Sequence, residues 1–349
     1  MRPTTKDLAK AAGVSLATVD RVLNGRPGVR KTTVEAVNEA IERIGFERNL
    51  SAANLARGRS YRLEFLLPKQ GDQFLDTLLD RVDEAQSAFA AEATFVRCRR
   101  AVDTDPHQIA AMLGRITRED TDGVALMAPD SPQVRDAMLR LHERGVKVTA
   151  LVSGHSGELP IDFVGVDNAA AGATAGRLVG QFCGGRTGKI LVVSDTMMTR
   201  DSVERRHGFD SVITADYPGL TALPTLETYG DPDRACRIVG TAFRNHDDIV
   251  AAYVLSSEAR LSLEAIRNER DLSSLVTLAH ERTQYTQAML MTRALDAVIA
   301  QNPGHLVRSA IRVLRARCDN REPLASQETI RVEILLKENL GQTTDDPPD

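Results

Sequence analysis

The sequence is poor in aromatic residues and contains no tryptophan. Aromatic side chains make up 4% of the 349 residues, so we do not expect the stacking surface that binds single-stranded nucleic acid. Cysteine is also scarce, and the thiols Cys98, Cys183, Cys236 and Cys318 follow no C-x-x-C spacing. This spacing favours free thiols in a reducing compartment over disulfides or a zinc site.

Long apolar runs are missing as well. No stretch reaches the roughly 18 apolar residues of a membrane-spanning helix, so we expect no membrane span. The N-terminal sequence MRPTTKDLAK lacks the apolar core of a secretory signal. We therefore expect a cytoplasmic protein, and its length suggests two or three domains.

The sequence lacks the common signatures of enzymes. It has no G-x-G-x-x-G after the first predicted strand and no G-x-S-x-G elbow. The segment GGRTGK at residues 184–189 precedes a strand, and Ile190 replaces the hydroxyl residue of a phosphate loop. His280 and Glu281 do not open an H-E-x-x-H motif, because Gln284 stands at the second ligand position. We expect no catalytic site, no metal and no cofactor.

The net charge of −4 conceals an uneven distribution. Residues 1–62 contain 12 Lys and Arg against 6 Asp and Glu, a net charge of +6. The remaining residues contain 32 basic and 42 acidic side chains, a net charge of −10. This asymmetry predicts a small domain that binds a polyanion and a large domain that does not.

Residues 4–45 carry the pattern of three short helices. Thr4 and Asp7 form a capping-box arrangement, Gly13 suits a left-handed turn, and Ser15 can cap the second helix. Two helices joined by a short turn with glycine form the layout of a helix-turn-helix, whose second helix directs its first residues to base edges. Those residues are Leu16, Ala17 and Arg21. A small three-helix bundle with a basic surface has the same pattern, and the pattern alone leaves both interpretations open.

The stretch TKDLAKAAGVSLATVDRVLNG at residues 5–25 closely resembles the DNA-binding domain of the lactose-repressor (LacI/GalR) family of bacterial transcription regulators. PGVR at residues 27–30, IGF at residues 44–46 and Asn49 continue the match in register. The resemblance implies that bases are read by Leu16, Ala17 and Arg21, and that phosphates are contacted by Thr5, Thr18 and Asn24. Arg21 could donate two hydrogen bonds to a guanine edge.

Asp20 departs from the family pattern, which usually has serine at this DNA-binding position. A carboxylate near a phosphate is repulsive. Asp20 therefore either turns away to cap the helix or pair with Arg21, or accepts a hydrogen bond from a cytosine amine. Both interpretations stay open.

Residues 49–60 match the hinge of the same family at Asn49, Ala52, Leu55, Gly58 and Ser60. A flexible basic linker is the alternative interpretation, since a helix of barely two turns is mostly unfolded alone. The resemblance implies a helix that folds only on DNA and pairs across a dimer. Leu55 would then wedge into the minor groove and bend the duplex.

From residue 61 onward, short apolar runs alternate with amphipathic helical patterns. The runs are Leu63–Leu67, Thr94–Val96, Gly123–Met127, Val146–Leu151, Phe163–Val166, Ile190–Val193, Ile249–Leu255 and Leu275–Leu278, with a late strand in Ile330–Leu336. Regular alternation of strands and helices predicts an α/β fold with parallel sheets covered on both faces. About 280 residues exceed one such sheet, so we expect two similar lobes with a ligand at the carboxyl ends of the strands.

This larger part resembles the periplasmic-binding-protein fold that these regulators share with the sugar-binding proteins of transport systems. FVGVDN at residues 163–168 with Gly172, and RRHGF at residues 205–209, carry the match. The ligand contacts that the resemblance implies are Asp72, Phe74, Asp130, Arg205, Ser257, Glu281 and Gln301. A surface arginine is the alternative interpretation of Arg205.

Two departures separate this pocket from a standard sugar repressor. AHER at residues 279–282 replaces the usual Gly-Tyr/Phe-Asp-Asp, so Glu281 takes the acidic role with a longer arm, and SSE at residues 256–258 replaces an Asn/Asp cluster. The pattern looks closer to the subgroup that resembles ribose-type binding proteins. An Arg205–Glu281 pair suits hydroxyl recognition or an acid, so we expect a sugar or polyol first and a sugar acid second.

The resemblances predict an all-α helix-turn-helix domain at 1–48, a hinge at 49–60, a two-lobed α/β effector and dimerisation domain at 61–340, and a disordered tail at 341–349. The first lobe would span about 61–158 and 285–320, and the second about 159–284 and 321–340. The implied function is that of a bacterial, nucleoid-associated repressor, a homodimer that binds palindromic operator DNA under control of a sugar-like effector. The alternative is a solute-binding protein of a sugar transport system.

Overall fold

The chain divides into two units between Ser60 and Tyr61, termed here the head and the body. The structure is a computed structural model that describes residues 3–23, 27–44, 60–69, 71–100, 105–155, 157 and 160–340. Within these residues, no helix is long and apolar enough to cross a membrane. The predicted disordered tail at 341–349 lies outside the described residues.

The head consists of three helices, α1 (Thr5–Ala12), α2 (Leu16–Leu23) and α3 (Lys31–Ile44). The predicted capping box is present: Thr4 N–H donates to Asp7 Oδ2 at 2.8 Å, and Asp7 N–H donates to Thr4 Oγ1. Gly13 ends α1 with a φ of 66°, a left-handed conformation that glycine adopts without steric strain. Ser15 caps α2, since its hydroxyl accepts from the backbone N–H of Thr18 at 3.1 Å.

The core of the head is small and apolar. Leu8 from α1, Val19 from α2, and Val37 and Ala40 from α3 are each at most 1% exposed. These positions follow the helical period, so one face of each helix meets the other two. The opposite face of α2 is left for solvent or a partner.

The first lobe of the body is built on a five-stranded parallel sheet in the order β2-β1-β3-β4-β5. Its strands are β1 (Tyr61–Leu67), β2 (Thr94–Arg100), β3 (Gly123–Leu126), β4 (Lys147–Leu151) and β5 (Asp162–Val164). The second lobe has a seven-stranded sheet in the order β12-β11-β10-β9-β6-β7, with β8 paired to β6. Its strands are β6 (Gly188–Ser194), β7 (Leu220–Ala222), β8 (Leu226–Glu227), β9 (Ile249–Val254), β10 (Val276–His280), β11 (Ala297–Ala300) and β12 (Glu333–Leu335), of which β12 is antiparallel to β11.

Helices cover both faces of each sheet. They are α4 (Gln73–Ala90), α5 (Pro106–Gly114), α6 (Pro132–Glu143), α7 (Asn168–Cys183), α8 (Arg200–Asp216), α9 (Pro232–Asn245), α10 (Arg260–Glu269), α11 (Gln284–Met291), α12 (Pro303–Cys318) and α13 (Ala325–Glu328). Neighbouring strand residues alternate between the two faces: Phe65 packs in the core that includes α4 and α12, and Leu66 packs in the core that includes α5 and α6. The predicted α/β architecture with covered parallel sheets is confirmed.

The lobe boundaries differ from the predicted ones. β5 lies in the first sheet although the prediction gave residues from 159 onward to the second lobe. β11 pairs with β10 in the second sheet although residues 285–320 were assigned to the first. The helix α12 does pack on the first lobe. The chain therefore crosses between the lobes three times: just after Val164, just after Ala300, and between α12 and β12. Backbone pairing, which residue spacing does not reveal, decides where each strand belongs.

Candidate functional site

The head directs the predicted base-reading side chains to solvent. Leu16 is 47% exposed on the first turn of α2, and Ala17 and Arg21 are exposed on the same helix. Thr5 is exposed at the start of α1, whereas Thr18 is half-buried. The Thr18 hydroxyl lies 2.8 Å from that of Ser15, so the same side chain that caps α2 also orients Thr18.

Asp20, the position that departs from the family pattern, is half-buried on α2. Four further predicted DNA contacts, Asn24, Asn49, Ala52 and Leu55, lie outside the described residues. An exposed apolar residue and an exposed arginine next to the turn of a helix-turn-helix are the groups that contact thymine methyls and guanine edges in the major groove.

In the body, the carboxyl ends of parallel strands bring the predicted polar residues together around Arg205. The side chain of Arg205 is among the largest fully buried ones, with 1% exposure. Its Nε donates to Asn168 Oδ1 at 2.9 Å, Nη1 to the carbonyl of Leu255 at 3.0 Å, and Nη2 to Glu281 Oε1 at 3.0 Å. The surface-arginine interpretation is therefore wrong, because a buried charge of this kind is held by a paired carboxylate and several acceptors.

Two glycines explain how Arg205 reaches this position. A Cβ atom at Gly172 of α7 would lie 1.9 Å from the carbonyl oxygen of Arg205, and one at Gly208 of α8 would lie 1.9 Å from that of Ala169. The helices α7 and α8 therefore pack backbone to backbone, which only glycine permits at these contacts. This close packing sets Arg205 of α8 beside Asn168 at the start of α7.

Glu281 follows the last residue of β10 in a left-handed conformation, with a φ of 63°. Its backbone N–H donates to Ile299 O at 2.8 Å, and Thr286 Oγ1 donates to its carbonyl at 2.8 Å. These two hydrogen bonds hold the strained residue and turn its side chain away from the strand direction. Conformations of this kind cost about 1–3 kcal/mol and are concentrated at functional sites.

The carboxylate of Glu281 joins the predicted residues into one network. Its Oε1 accepts from Arg205 and, at 3.0 Å, from Gln301 Nε2 at the end of β11. Burial raises the pKa of Glu281, while the charge of Arg205 and the hydrogen bonds from Gln301 and Arg205 lower it. The structure thus brings Arg205, Glu281 and Gln301 together, as the resemblance implied.

Three buried polar atoms of this network have no hydrogen-bond partner within the part of the chain that the structure describes. They are Asn168 Nδ2, Glu281 Oε2 and Gln301 Oε1. A buried unpaired polar group costs about 1–3 kcal/mol, so a ligand that satisfies these atoms would gain that energy. One donor and two acceptors suit a compound with several hydroxyl groups.

Asp130 is already engaged by its own lobe. Arg135 Nη1 lies 2.5 Å and His155 Nδ1 3.4 Å from Asp130 Oδ1. Burial lowers the pKa of His155, against the opposing effect of the Asp130 carboxylate. A ligand hydroxyl at Asp130 would therefore share the carboxylate with these two side chains.

The remaining predictions divide between the site and the core. Asp72 caps α4 through Leu75 N–H at 2.9 Å, and Ser257 is half-buried after β9. Gln73 Oε1 accepts from Tyr285 N–H at 3.2 Å, which ties the first lobe to the second. Phe74 was predicted as a ligand contact, but it is 1% exposed and packs in the apolar core of the first lobe. Phe74 is the first residue on the buried apolar face of α4, so its side chain packs against other apolar side chains.

One residue of the network, Asn168, was not predicted as a site residue. It accepts a hydrogen bond from Arg205 and follows shortly after β5 of the first sheet. Position after a predicted strand was the signal that could have found it.

Comparisons with known proteins match both parts of the chain. A family model described as periplasmic binding protein domain matches residues 63–322, and one described as bacterial regulatory proteins, lacI family, matches residues 4–49. Catabolite control protein A of Priestia megaterium is 30% identical over 128 residues, 37% of each chain. HTH-type transcriptional regulator RegA of Clostridium saccharobutylicum is 29% identical over 168 residues, 48% of each chain. The chain thus spans about half or less of the length of these relatives.

Solved structures share the fold of the body. A solute-binding protein from Burkholderia graminis C4D1M, solved in complex with D-arabinose, has a TM-score of 0.69 at 19% identity, over 82% of this chain and 99% of that one. A protein from Bacteroides fragilis described as a LacI transcriptional regulator has a TM-score of 0.69 at 18% identity, over 81% and 99%. The chain belongs to the periplasmic binding protein domain family and carries at its N-terminal end the helix-turn-helix domain of the lacI family of bacterial regulatory proteins.

Proposed function

We propose that this protein is a sequence-specific DNA-binding transcription regulator, a repressor, controlled by a small polyhydroxy ligand that binds between the two lobes of the body. The observation that carries the proposal is the presence of two complementary sites in one chain. The α2 surface of the head exposes Leu16, Ala17 and Arg21. The body buries an Arg205–Glu281 network that has unpaired polar atoms.

The ligand is a sugar, a polyol or a sugar acid. The floor of the site offers Asn168 Nδ2 as a donor and Glu281 Oε2 and Gln301 Oε1 as acceptors. A hydroxyl group can both donate and accept, so neighbouring hydroxyls fit such a mixed set. The D-arabinose in the similar solute-binding protein supports this class of compound without fixing its identity.

The regulation is a coupling between ligand and DNA. Ligand binding changes the relation of the two lobes, and the change passes through the predicted hinge at 49–60 to the heads of a homodimer. Two heads related by a twofold axis bind a palindromic operator, and the basic charge of each head gives salt-sensitive affinity. The protein acts in the bacterial cytoplasm on the nucleoid.

Selection of binding sites from random duplex DNA with the full-length protein, followed by footprinting upstream of its own gene, tests the proposal. We expect a selected palindrome and a protected copy of it. A protein that binds no DNA sequence in preference to others contradicts the regulator. If such a protein still binds a sugar, the alternative of a solute-binding protein gains support.

A further inference from the structure

The cation of the proposed ligand site, Arg205, already has a protein carboxylate as its counter-ion. Each of its three guanidinium nitrogens donates to a protein oxygen, on Asn168, Leu255 or Glu281. A ligand carboxylate that replaced Glu281 would leave that buried carboxylate without its cation, which is strongly unfavourable. A ligand carboxylate that bound beside Glu281 would be repelled by it, so the site is poorly suited to an acid.

The buried atoms of this network that have no hydrogen-bond partner among the described residues are mainly acceptors. Glu281 Oε2 and Gln301 Oε1 are unpaired on side chains of residues that are 1% exposed, against the single unpaired donor Asn168 Nδ2. An acceptor is satisfied by an O–H or N–H group and not by another carboxylate. A carboxylate with an unpaired oxygen forms its strongest hydrogen bonds with a charged N–H donor.

Three further carboxylates, Asp72, Asp195 and Glu258, follow the strands β1, β6 and β9, at the same carboxyl edges of the sheets. Their hydrogen bonds are with the N–H of Leu75 for Asp72, the hydroxyl of Thr228 for Asp195, and the N–H of Arg260 for Glu258. Among the described residues, none of the three carboxylates forms an ion pair.

These carboxylates are close enough to repel one another. Burial raises the pKa of Asp195 and of Glu258, and the charge of Asp72 raises both further. Asp72 also raises the pKa of Glu281, although burial is the larger cause. Asp72 belongs to the first lobe and the other three to the second, so both lobes contribute negative charge near Glu281.

Two arginines of the surrounding elements are engaged by other carboxylates. Arg135 pairs with Asp130, and Arg200 pairs with Glu204 at 2.6 Å. Arg260 lies 3.5 Å from Glu264, and its charge lowers the pKa of Glu258 in part, against the larger effect of burial. Within the part of the chain that the structure describes, the proposed ligand site therefore combines unpaired acceptors with carboxylates that form no ion pair.

We infer that the ligand of the proposed regulator carries a positively charged amine: it is an amino sugar or an aminated polyol. The hydroxyl groups of the ligand accept from Asn168 Nδ2 and donate to Gln301 Oε1. The ammonium group binds among Glu281, Asp195, Glu258 and Asp72. This inference rests on the proposed function and narrows its ligand class from any sugar, polyol or sugar acid to a cationic one.

Matched compounds test the charge directly. The full-length protein is titrated with D-glucosamine, D-glucose and D-glucuronate, with the corresponding galactose set, and with glucamine, sorbitol and gluconate. Ligand binding is measured by the rise in melting temperature and by calorimetry. We expect the amine of at least one set to bind most tightly. An acid or neutral member that binds as tightly as its amine overturns the inference, and so does a panel in which no amine binds.

Variants of the carboxylates give a second test on the best amine. Asp195→Asn and Glu258→Gln keep the shape of the side chain and remove its charge, and each should weaken amine binding about ten-fold, as loss of a charge-assisted hydrogen bond does. Asp247→Asn, an exposed acid just before β9 and thus at the opposite sheet edge, is the matched control. Equal amine affinity in all three variants contradicts the inference.

The DNA selection is repeated on the same protein preparations, so that failure of the amine inference can be distinguished from failure of the proposed regulator function. A preparation that selects a palindrome but prefers a neutral sugar contradicts only the amine. A preparation that selects no DNA contradicts the regulator itself, whatever its ligand.

Discussion

The head and the body expose their functional residues in opposite ways. On α2, Leu16, Ala17 and Arg21 lie in solvent, and the fold of the head depends instead on Leu8 and Val19 beneath them. In the body, three of the proposed ligand contacts, Arg205, Glu281 and Gln301, are buried and hydrogen-bonded to one another. The comparison teaches that the proposed DNA-binding surface can change without loss of the fold, whereas the proposed ligand site also helps to hold its lobe together.

Of the changes that test this comparison, replacement of Arg205 should have the largest effect on stability. Arg205→Met leaves Glu281 buried without its cation, and we expect the free energy of unfolding of the body to fall by about 3–5 kcal/mol. Urea unfolding followed by tyrosine fluorescence measures this, because all five tyrosines lie in the body and tryptophan is absent.

Two further variants check this interpretation. Arg177→Met removes an arginine of α7 that is paired with Asp216 on the surface, and it should change stability little. Arg205→Met combined with Glu281→Gln should recover part of the lost stability, because no buried charge then stays unpaired. If Arg205→Met alone is as stable as the wild type, the Arg205–Glu281 network plays no part in stabilising the lobe.

The close packing of α7 on α8 supports the next prediction. Gly172→Ala forces a methyl group against the backbone of Arg205, so the helices must separate, and we expect a loss of about 3 kcal/mol in the same urea experiment. Gly114→Ala is the control, since a Cβ at the end of α5 meets no atom within 4 Å. Equal stability of the two variants would mean that the helix contact is looser than the structure indicates.

In the head, Arg21→Ala should separate function from stability. We expect unchanged thermal unfolding by circular dichroism, because Arg21 is exposed. Binding titrations against operators altered at each position should lose about 1–3 kcal/mol of discrimination at one position per half-site. Lys10→Ala, which removes an exposed positive charge from α1, should leave base preference intact. Uniform weakening on all sequences by Arg21→Ala would restrict Arg21 to a phosphate contact.

The smallest effect concerns pH. His280 Nε2 lies 2.7 Å from the hydroxyl of Tyr253, both residues are buried, and burial lowers the pKa of His280 well below its ordinary value, with Arg205 adding to the effect. The folded protein therefore keeps this histidine neutral, while the unfolded chain binds a proton below about pH 6.5. The contribution of the neutral His280 to the free energy of unfolding is present above that pH and is lost as the pH falls. The loss is about 1 kcal/mol between pH 7 and 5.5.

The difference in unfolding free energy between wild type and His280→Gln isolates this contribution. We expect His280→Gln to lose the pH dependence that His280 supplies. The control His207→Gln, a change on the exposed face of α8, should keep that pH dependence. Parallel pH profiles for wild type and His280→Gln would contradict the assignment.

Local features were predictable where they depend on near neighbours in the chain. The Thr4–Asp7 capping box, the turn at Gly13 and the cap at Ser15 join residues at most three apart, and all three are present. Strand positions followed from apolar runs, because a central parallel strand is apolar on both faces. The short strands β7 (Leu220–Ala222) and β8 (Leu226–Glu227) were missed, since polar residues and Pro224 interrupt any apolar run there.

The site itself was predictable only in part. The resemblance named Arg205, Glu281 and Gln301, and the structure brings them together. It also named Phe74, which packs in the core, and Asp130, which its own lobe already engages. Resemblance identifies positions in a fold, but the side chains that surround each position belong to other elements, which a short motif does not describe.

The sequence by itself determined the elements of this protein: three helices with a basic surface, the first two with side-chain caps, and alternating strands and helices in the acidic remainder. Helical periods, caps and apolar runs act over a few residues, so they can be read along the chain. Tertiary structure alone decided which lobe each strand joins and how Arg205 meets Glu281, 76 residues away. That pairing depends on glycine contacts between α7 and α8 and on the strained turn after β10, and neither has a local signal.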